Sequence, residues 1–401
     1  MVQKYYMIKL GFWFDAPFAY SGGLNYISNL LYALSVVNDR EVQPYVFFAD
    51  DVPDSVVARF EKYAIIVRTP ILRRKTIPWL AHKLFYKCLG SMALVNALLR
   101  RYNIDVLSHA WIPYLGKRPV RVISWIPDFQ YLHMPEMFPN LDGEKETQIN
   151  RQIATHADAV VVSSDHALRD LLSLLPRNKL PIVEVLRFVS QPSVGSGDAL
   201  PDINELQIKY NFSGKFFLLP NQFWAHKNHW VVLNALALSK AEGLSMTVLM
   251  TGNTKDYRLS GTPYVDALQN MIGDLDIERE ARILGMIDYN DLLALMRQCV
   301  AVINPSRFEG WSSSVEEARS MGKPILMSCI PVHKEQAPAH GDYFGCDDAA
   351  TLAALMQRQW LSHETAPHTE RAEMAERDLR RRTEHFGQRY LRLVKRIAAS
   401  S

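Results

Sequence analysis

Residues 300–324 read VAVINPSRFEGWSSSVEEARSMGKP. The run Val300-Ala301-Val302-Ile303 has the length and β-branched character of a short buried strand. A loop follows, carrying Glu309 and Gly310 and then Ser312, Ser313 and Ser314. From Ser313 to Met321 the pattern turns helical, and Gly322 and Pro324 mark its end. The segment is therefore strand, short loop, helix. Gly310 lets the backbone approach a ligand closely. The serines suit a helix N-cap, and the free N–H groups of the first turn, aided by the helix dipole, attract phosphate. A plain N-cap that binds nothing is the simpler reading of this segment by itself.

The same unit recurs along the chain, which is the signature of parallel α/β architecture. In the first half, strands fit 7–12, 45–48, 64–68, 105–108, 122–125 and 159–162, and helices fit 24–35, 91–101, 142–156 and 165–174. Residues 190–201, SQPSVGSGDALP, lack hydrophobic periodicity and read as a linker. After it, strands fit 216–219, 246–250, 281–284, 300–303 and 324–327, with helices at 230–242, 263–275, 290–298 and 313–321. A charged helix closes the chain, with Tyr390, Leu391, Val394 and Ile397 as its apolar stripe. At 401 residues, two domains are the natural expectation. We expect a first domain over 1–190, a linker over 191–202, a second domain over 203–375, and a helix over 376–401 that packs back on the first. Two α/β halves joined this way imply a cleft between them, a common ligand site.

Composition narrows the function. Hydrophobic residues make up 48% and charged residues 22%, ordinary for globular domains. A net charge of +3 is too small to argue for nucleic acid. The four cysteines, Cys88, Cys299, Cys329 and Cys346, match no zinc spacing and read as free thiols of a reducing compartment. Residues 1–14 lack the pattern of a secretion signal, and no stretch reaches 18 apolar residues. The expected location is the cytoplasm, with the inner membrane face as the place of work.

Glu309 and Glu317, eight residues apart and followed by an alanine, a glycine and Pro324, resemble the E-x7-E motif of glycosyltransferase family 4. The resemblance implies the GT-B fold: two Rossmann-like α/β domains whose parallel sheets face a central cleft. It implies that Glu309 contacts the donor sugar or supports the transferring centre, and that Glu317 accepts hydrogen bonds from ribose hydroxyls, which a carboxylate can do in pairs. Glu316 is one residue off this register. A second segment agrees. Residues 216–219 precede Asn221, Gln222, Lys227 and Asn228, where the family places a basic pair that neutralises a diphosphate. Lys227 matches the lysine; Gln222 stands where an arginine is usual. Gly252 ends a strand as in the family, and Met286 and Ile287 lie where the family frames the nucleotide base. Pro331, Val332, His333 and Glu335 are similar to a downstream acidic segment. With Gly310, Trp311, Ser312 and Ser313, these residues form the expected donor site, spread over 216–348.

The first half is less specific. Gly22 and Gly23 open a helix after the first strand, where the family has a glycine-rich loop that touches donor phosphate or acceptor. Asp128, with His133 beyond it, follows an apolar strand and resembles a His-Asp segment of polysaccharide-assembling members, with Pro127 at the histidine position. Glu309, Lys227 and Asp128 are thus the catalytic candidates, and Asp128 and His133 the acceptor-side ones. The implied activity is retaining transfer of a hexose from a UDP- or GDP-sugar to a saccharide or lipid-linked acceptor, in polysaccharide or lipopolysaccharide synthesis. No cofactor and no metal are expected; the one DxD, Asp274-Leu275-Asp276, reads as surface. A nucleotide-sugar epimerase of the same architecture and a non-catalytic nucleotide-sugar binder are the alternatives. Residues 62–104 hold nine Lys and Arg and no Asp or Glu, interleaved with Ile77, Trp79, Leu80, Leu84, Phe85 and Tyr86. That mixture suits an anionic membrane surface, or equally a solvated basic face whose apolar residues pack inward.

Overall fold

The computed structural model describes residues 7–14, 21–89, 92–110, 118–192, 200–256, 261–362 and 369–400. The chain divides into two compact units. The first comprises Met1–Phe129, Asp142–Val189 and Arg381–Ser401; the second comprises Gln130–Leu141 and Ser190–Arg380. The short insertion Gln130–Leu141 thus clusters with the second unit although it precedes it in sequence.

In the first unit, strands β1 (Ile8–Trp13), β2 (Val42–Ala49), β3 (Ile65–Thr69), β4 (Val106–Ala110), β5 (Arg121–Ile126), β6 (Ala159–Val162) and β7 (Ile182–Val185) alternate with helices α1 (Ser21–Val37), α2 (Asp54–Glu61), α3 (Ile77–Leu89) and α4 (Ala93–Arg101). The four-residue α5 (Gln130–His133) falls in the insertion, and α6 (Gly143–His156) and α7 (Asp165–Leu174) complete the set. The seven strands form one sheet in the order β3-β2-β1-β4-β5-β6-β7, and every pairing is parallel. Its central strands are buried on both faces, which is why they read as unbroken apolar runs. Helices α2, α3 and α5 and the edge strand β7 were not expected. The edge strand β7 has only half-buried residues, so it gives no apolar run to read. The apolar residues of α3 do not follow an inward-facing pattern.

The second unit runs α8 (Ile203–Tyr210), β8 (Phe217–Leu219), α9 (His229–Ala241), β9 (Val248–Thr251), α10 (Pro263–Asp274), β10 (Ala281–Gly285), α11 (Tyr289–Gln298), β11 (Val302–Asn304), α12 (Ser313–Ser320), β12 (Ile325–Ser328), α13 (Pro331–Gln336), β13 (Gly341–Phe344) and α14 (Ala349–Ser362). The sheet order is β10-β9-β8-β11-β12-β13, again all parallel. Strand β13 was not expected; its glycine and its one charged residue, Asp342, hide a short edge strand. Side chains alternate between two cores. Phe217, Leu219, Met250 and Ile303 face one, with α9, α10 and α14. Leu218, Leu249, Val302 and Met327 face the other, with α8, α11 and α12. This two-residue period follows from strand geometry.

The last helix, α15 (Thr369–Ala399), starts before the expected 376. Its residues up to Arg380 cluster with the second unit and the rest with the first. Of the expected linker, 193–199 fall outside the described residues; Ser190 and Gln191 before it are buried, so the flank is packed.

Within the first unit, α15 is held by shape and by polar contacts. Phe386, Tyr390, Val394 and Ile397 are buried. The Tyr390 hydroxyl bonds Ser108 Oγ, which lies 2.7 Å from Nδ1 of the buried His109, whose Nε2 is 2.9 Å from the Tyr26 hydroxyl. Arg389 pairs with Glu184, and Lys395 with Asp39 and Glu41. Gly387 lies so close to α1 that a Cβ there would sit 2.5 Å from the Ala33 carbonyl oxygen and 2.8 Å from Val37 Cγ2. Backbone cannot yield to that contact as a flexible side chain could. Gly387→Ala is therefore expected to destabilise the first unit by about 1–3 kcal/mol, seen as a lower midpoint in chemical denaturation against wild type.

Candidate functional site

In the second unit the strand order reverses between β8 and β11. Helix α9 leaves β8 toward one core and α12 leaves β11 toward the other. The carboxyl ends of two such strands open a crevice between diverging loops, the place where open α/β sheets hold ligands. The two segments singled out in the sequence, 220–229 and 304–324, are these two loops.

Asn304, the last residue of β11, joins them. Its side chain is fully buried. Its Nδ2 donates to Ser312 Oγ at 2.7 Å and Ser314 Oγ at 3.0 Å, and its Oδ1 accepts from Ser306 Oγ at 2.7 Å and Asn221 Nδ2 at 3.2 Å. One amide therefore ties the end of β8, the loop after β11 and the start of α12, with both its donor and acceptor capacity used. Ser312 is the N-cap of α12, accepting from Val315 N. From α13, Gln336 pairs with the Ser312 backbone: its Nε2 donates to the carbonyl at 2.9 Å and its Oε1 accepts from the N–H at 3.3 Å. The same Nε2 lies 3.2 Å from Glu316 Oε1, so Glu316 is turned to α13 and engaged there. Ser313, placed among the donor-binding residues by sequence, is exposed and stands outside this network, whereas Ser314 is buried within it.

On this frame Lys227 and Glu309 meet. Lys227 Nζ lies 2.7 Å from Glu309 Oε1, with side-chain exposures of only 13% and 9%. Ser306 Oγ lies 2.6 Å from the same oxygen, so its one hydroxyl proton is shared between Glu309 Oε1 and Asn304 Oδ1. Burial pushes the Glu309 carboxyl up, but the charge of Lys227 and the hydrogen bonds from Lys227 and Ser306 outweigh it, and its pKa is lowered. Glu309 is an anion at neutral pH. His333, on α13, is buried; its Nδ1 lies 2.9 Å from the Ser328 carbonyl, and its Nε2 has no hydrogen-bond partner among the described residues. Burial lowers the His333 pKa, so its imidazole is neutral at pH 7. Phe308, next to Glu309, packs on the ring of the exposed His133 at 5.3 Å between centroids. Trp311 and Gly310 are half-buried beside it.

In the second turn of α12, Glu317 is buried, with Tyr289 of α11 donating to its Oε1 at 3.1 Å. Desolvation dominates here and raises its pKa to about 7, the Tyr289 hydrogen bond lowering it only in part. The two glutamates of the motif thus sit in opposite environments: Glu309 is paired and ionised, Glu317 desolvated and ready to accept.

Around them, Asn228 takes a left-handed backbone conformation at φ 56°, and its Nδ2 donates to the carbonyls of Cys346 at 2.8 Å and Pro305 at 3.2 Å. It braces the loops from behind. Gln222 accepts from Asn253 N at 2.7 Å through Oε1, which leaves its amide hydrogens unassigned by that bond. Gly252 must be glycine: a Cβ would lie 2.4 Å from the Asn221 carbonyl oxygen. Gly285 has φ +70° at an irregularity in the β9–β10 ladder and sends the chain out, so that Met286 is 66% exposed while Ile287 packs partly on the core. Asp276 of the DxD is exposed and pairs with Lys240.

The first unit has its own reversal, between β1 and β4. Gly22 and Gly23 lie there inside the first turn of α1, not in a free turn, and a Cβ at Gly22 would meet nothing within 4 Å. Residues 15–20 of the loop before them are outside the described residues. Asp128 is half-buried just after β5.

Sequence reasoning missed Asn304, Tyr289 and Gln336. The first ends a strand, where a polar residue among apolar ones is a signal that could have been read. The others come from distant elements and carry no local signal.

Residues 203–377, under half of the chain, match the model of the family described as Glycosyl transferases group 1. This covers the second unit's sheet and the site just described. The O-antigen chain mannosyltransferase RfbU of Salmonella typhimurium is 30% identical over 134 residues, which is 33% of this chain and 35% of that protein. The matched stretch thus spans about a third of that relative's length. Among solved structures, the glycosyltransferase of Rickettsia africae aligns over 98% of this chain and 100% of its own, with TM-score 0.66 and 15% identity. HepE of Anabaena, solved with UDP and glucose, aligns over 97% and 99%, with TM-score 0.67 and 15% identity. Sucrose-phosphate synthase of Thermosynechococcus elongatus aligns over 98% and 100%, with TM-score 0.66 and 15% identity. These likenesses show the fold: two Rossmann-like parallel-sheet units in one chain, the GT-B fold. The resemblance read from Glu309 and Glu317 is thus to glycosyl transferases.

The raised pKa of Glu317 makes a pH prediction. The folded state keeps the proton between the ordinary 4.5 and about 7. The cost of ionising Glu317 is absent below about 4.5 and fully present above about 7, so stability falls as pH rises through that window. At about 1.4 kcal/mol per pKa unit, this cost is on the order of 3–4 kcal/mol. Glu317→Gln should raise the apo melting temperature by several degrees at pH 8 and change it little at pH 4.5. Melting curves of both proteins across that range check the sign.

Proposed function

We propose that the chain is a glycosyltransferase that moves a hexose-type sugar from a nucleoside diphosphate-sugar to a saccharide or lipid-linked acceptor, with retention and without a metal. The observation that carries this reading is the half-buried Lys227–Glu309 pair at the switch point of the second sheet, with the desolvated Glu317 in the second turn of the helix that follows. In the proposed complex the diphosphate lies over Lys227 and the N–H groups at the start of α12, where fixed positive charge and the helix dipole meet it. Glu317 accepts from the ribose hydroxyls, and Met286 and Ile287 border the base. Gln222 contributes a neutral donor where the related motif has a cation, which leaves Lys227 as the main positive charge.

The reaction then needs charge stabilisation more than covalent chemistry. The bond from the anomeric carbon to the phosphate oxygen breaks, and its electrons leave with the diphosphate. Lys227 and the helix donors face that growing negative charge. Glu309, held as an anion, faces the positive charge that develops on the sugar ring. The acceptor hydroxyl attacks from the face the phosphate leaves, forming the new glycosidic bond and giving its proton to the departing phosphate oxygen. Asp128 and His133 are the acceptor-side candidates, with His133 placed against the Phe308 of the donor loop. A role in cell-surface polysaccharide or lipopolysaccharide synthesis is supported by the partial match to RfbU, and UDP as the carrier by the HepE complex.

Thermal shift with UDP, GDP and ADP tests the donor site. A ligand at about 100 times its Kd adds about 2.7 kcal/mol of stability, so a fitting diphosphate raises the melting temperature clearly. Lys227→Ala and Glu317→Ala should abolish the shift while remaining folded by circular dichroism. Glu309→Gln should keep diphosphate binding and lose transfer by at least about a hundredfold. If no diphosphate stabilises the folded wild type, the donor-site reading fails. Turnover of a donor without any acceptor would instead favour an epimerase.

A further inference from the structure

Helix α3 turns its apolar residues outward. Ile77 is 83% exposed, Leu80 54%, Leu84 63% and Phe85 42%. Ile77, Leu80 and Leu84 follow the i, i+3, i+7 spacing that puts side chains on one face, with Cys88 continuing it. Phe85 borders that face. The opposite side is the one that packs: His82 is buried, Trp79 and Tyr86 are half-buried, and α3 lies against α4. The amphipathic helix is therefore mounted with its apolar ridge toward solvent, the reverse of a helix that serves the core. Surface hydrophobics scattered singly mean nothing, but a contiguous ridge on one helix marks an interaction site.

Charge decides what the ridge meets. Arg73, Arg74 and Lys75 are exposed in the turn that leads into α3, and Lys87 is exposed on the helix beside Leu80 and Leu84. Arg73 is partly engaged by Asp50 at 3.3 Å. Arg74, Lys75 and Lys87 make no ion pair among the described residues. No acidic residue occurs in 62–104. A ridge of three or four side chains is far smaller than the roughly 20–30 residues a side of a stable protein interface. It is enough for an interfacial helix, which lies in the membrane plane with its apolar side in the acyl boundary and its cations among the headgroups. Each such Lys or Arg near an anionic leaflet adds to the attraction.

We propose that α3 is a membrane-docking helix: Ile77, Leu80, Leu84 and Phe85 insert into the interface of an anionic lipid leaflet, with Arg74, Lys75 and Lys87 on the headgroups. The occupant is the lipid surface itself, not a second copy of the chain or a partner peptide. The proposal stands apart from the donor site, which lies in the other unit and shares no residue with it.

Vesicle flotation of the full chain tests this. Phosphatidylcholine vesicles with about 30% phosphatidylglycerol should bind it at least about tenfold better than phosphatidylcholine alone. Two variants separate the contributions, both at exposed positions so that melting curves should match wild type. Leu80→Ser with Leu84→Ser removes the ridge, and Arg74→Glu with Lys75→Glu reverses the charge. Each pair should lower binding to anionic vesicles by about tenfold or more. The proposal is overturned if wild type shows no preference for anionic vesicles, or if the double serine variant binds them as well as wild type. It is equally overturned if sedimentation shows a wild-type dimer that the double serine variant converts to monomer, since the ridge would then belong to a second copy.

Discussion

The second unit depends on one buried amide. Asn304 ends β11 in a place where water cannot reach, so its two donors and its carbonyl oxygen have to be satisfied by protein. They are, by Ser312 and Ser314 on one side and Ser306 and Asn221 on the other. Those four residues belong to the two loops that flank the reversal of strand order. Satisfying one side chain therefore fixes the spacing of both loops and the first turn of α12. Gln336 then clamps that turn from α13 by pairing with the Ser312 backbone. A frame built this way is rigid where a ligand needs fixed donors, and its stiffness does not depend on the ligand.

The charges are distributed on that frame by opposite means. Glu309 is kept ionised by a lysine and a serine hydroxyl, against the pull of burial. Glu317, eight residues on, receives one tyrosine hydroxyl and is otherwise left desolvated. The same residue type thus has two chemical characters inside one motif. The first is suited to facing positive charge; the second carries a stability cost that a hydrogen-bonding ligand could offset. Sites that store such a cost are common where function and stability compete.

The first unit follows the same topology with different emphasis. Its parallel sheet also reverses after β1, yet the residues with the tightest constraint lie where α15 crosses α1. Gly387 permits that approach, and the Tyr26–His109–Ser108–Tyr390 chain of hydroxyls and imidazole satisfies the polar groups buried beneath it. Helix α3 stands outside this economy, because its apolar face contributes nothing to the core.

The alternation of short apolar runs with helical stretches was enough to read two parallel α/β units, because strands buried on both faces must be apolar throughout. Local pattern marked the strand, loop and helix around Glu309 and Glu317, and the resemblance to a known motif, not spacing by itself, pointed to Lys227 in the other loop. Other features were decided only in three dimensions. Asn221 and Asn304 meet across 83 positions, Tyr289 and Glu317 across 28, and Gln336 and Ser312 across 24. Nothing local records such a partner, because a hydrogen bond is set by the distance between atoms and not by position along the chain. Edge strands β7 and β13 were hidden for a related reason: half-buried strands need no apolar run. The outward turn of α3 is the clearest case. In the sequence it is only a basic stretch interleaved with apolar residues, a mixture that suits a core-packed basic face or a membrane equally well. Which way the ridge points was settled by His82, Trp79 and Tyr86 taking the inner side.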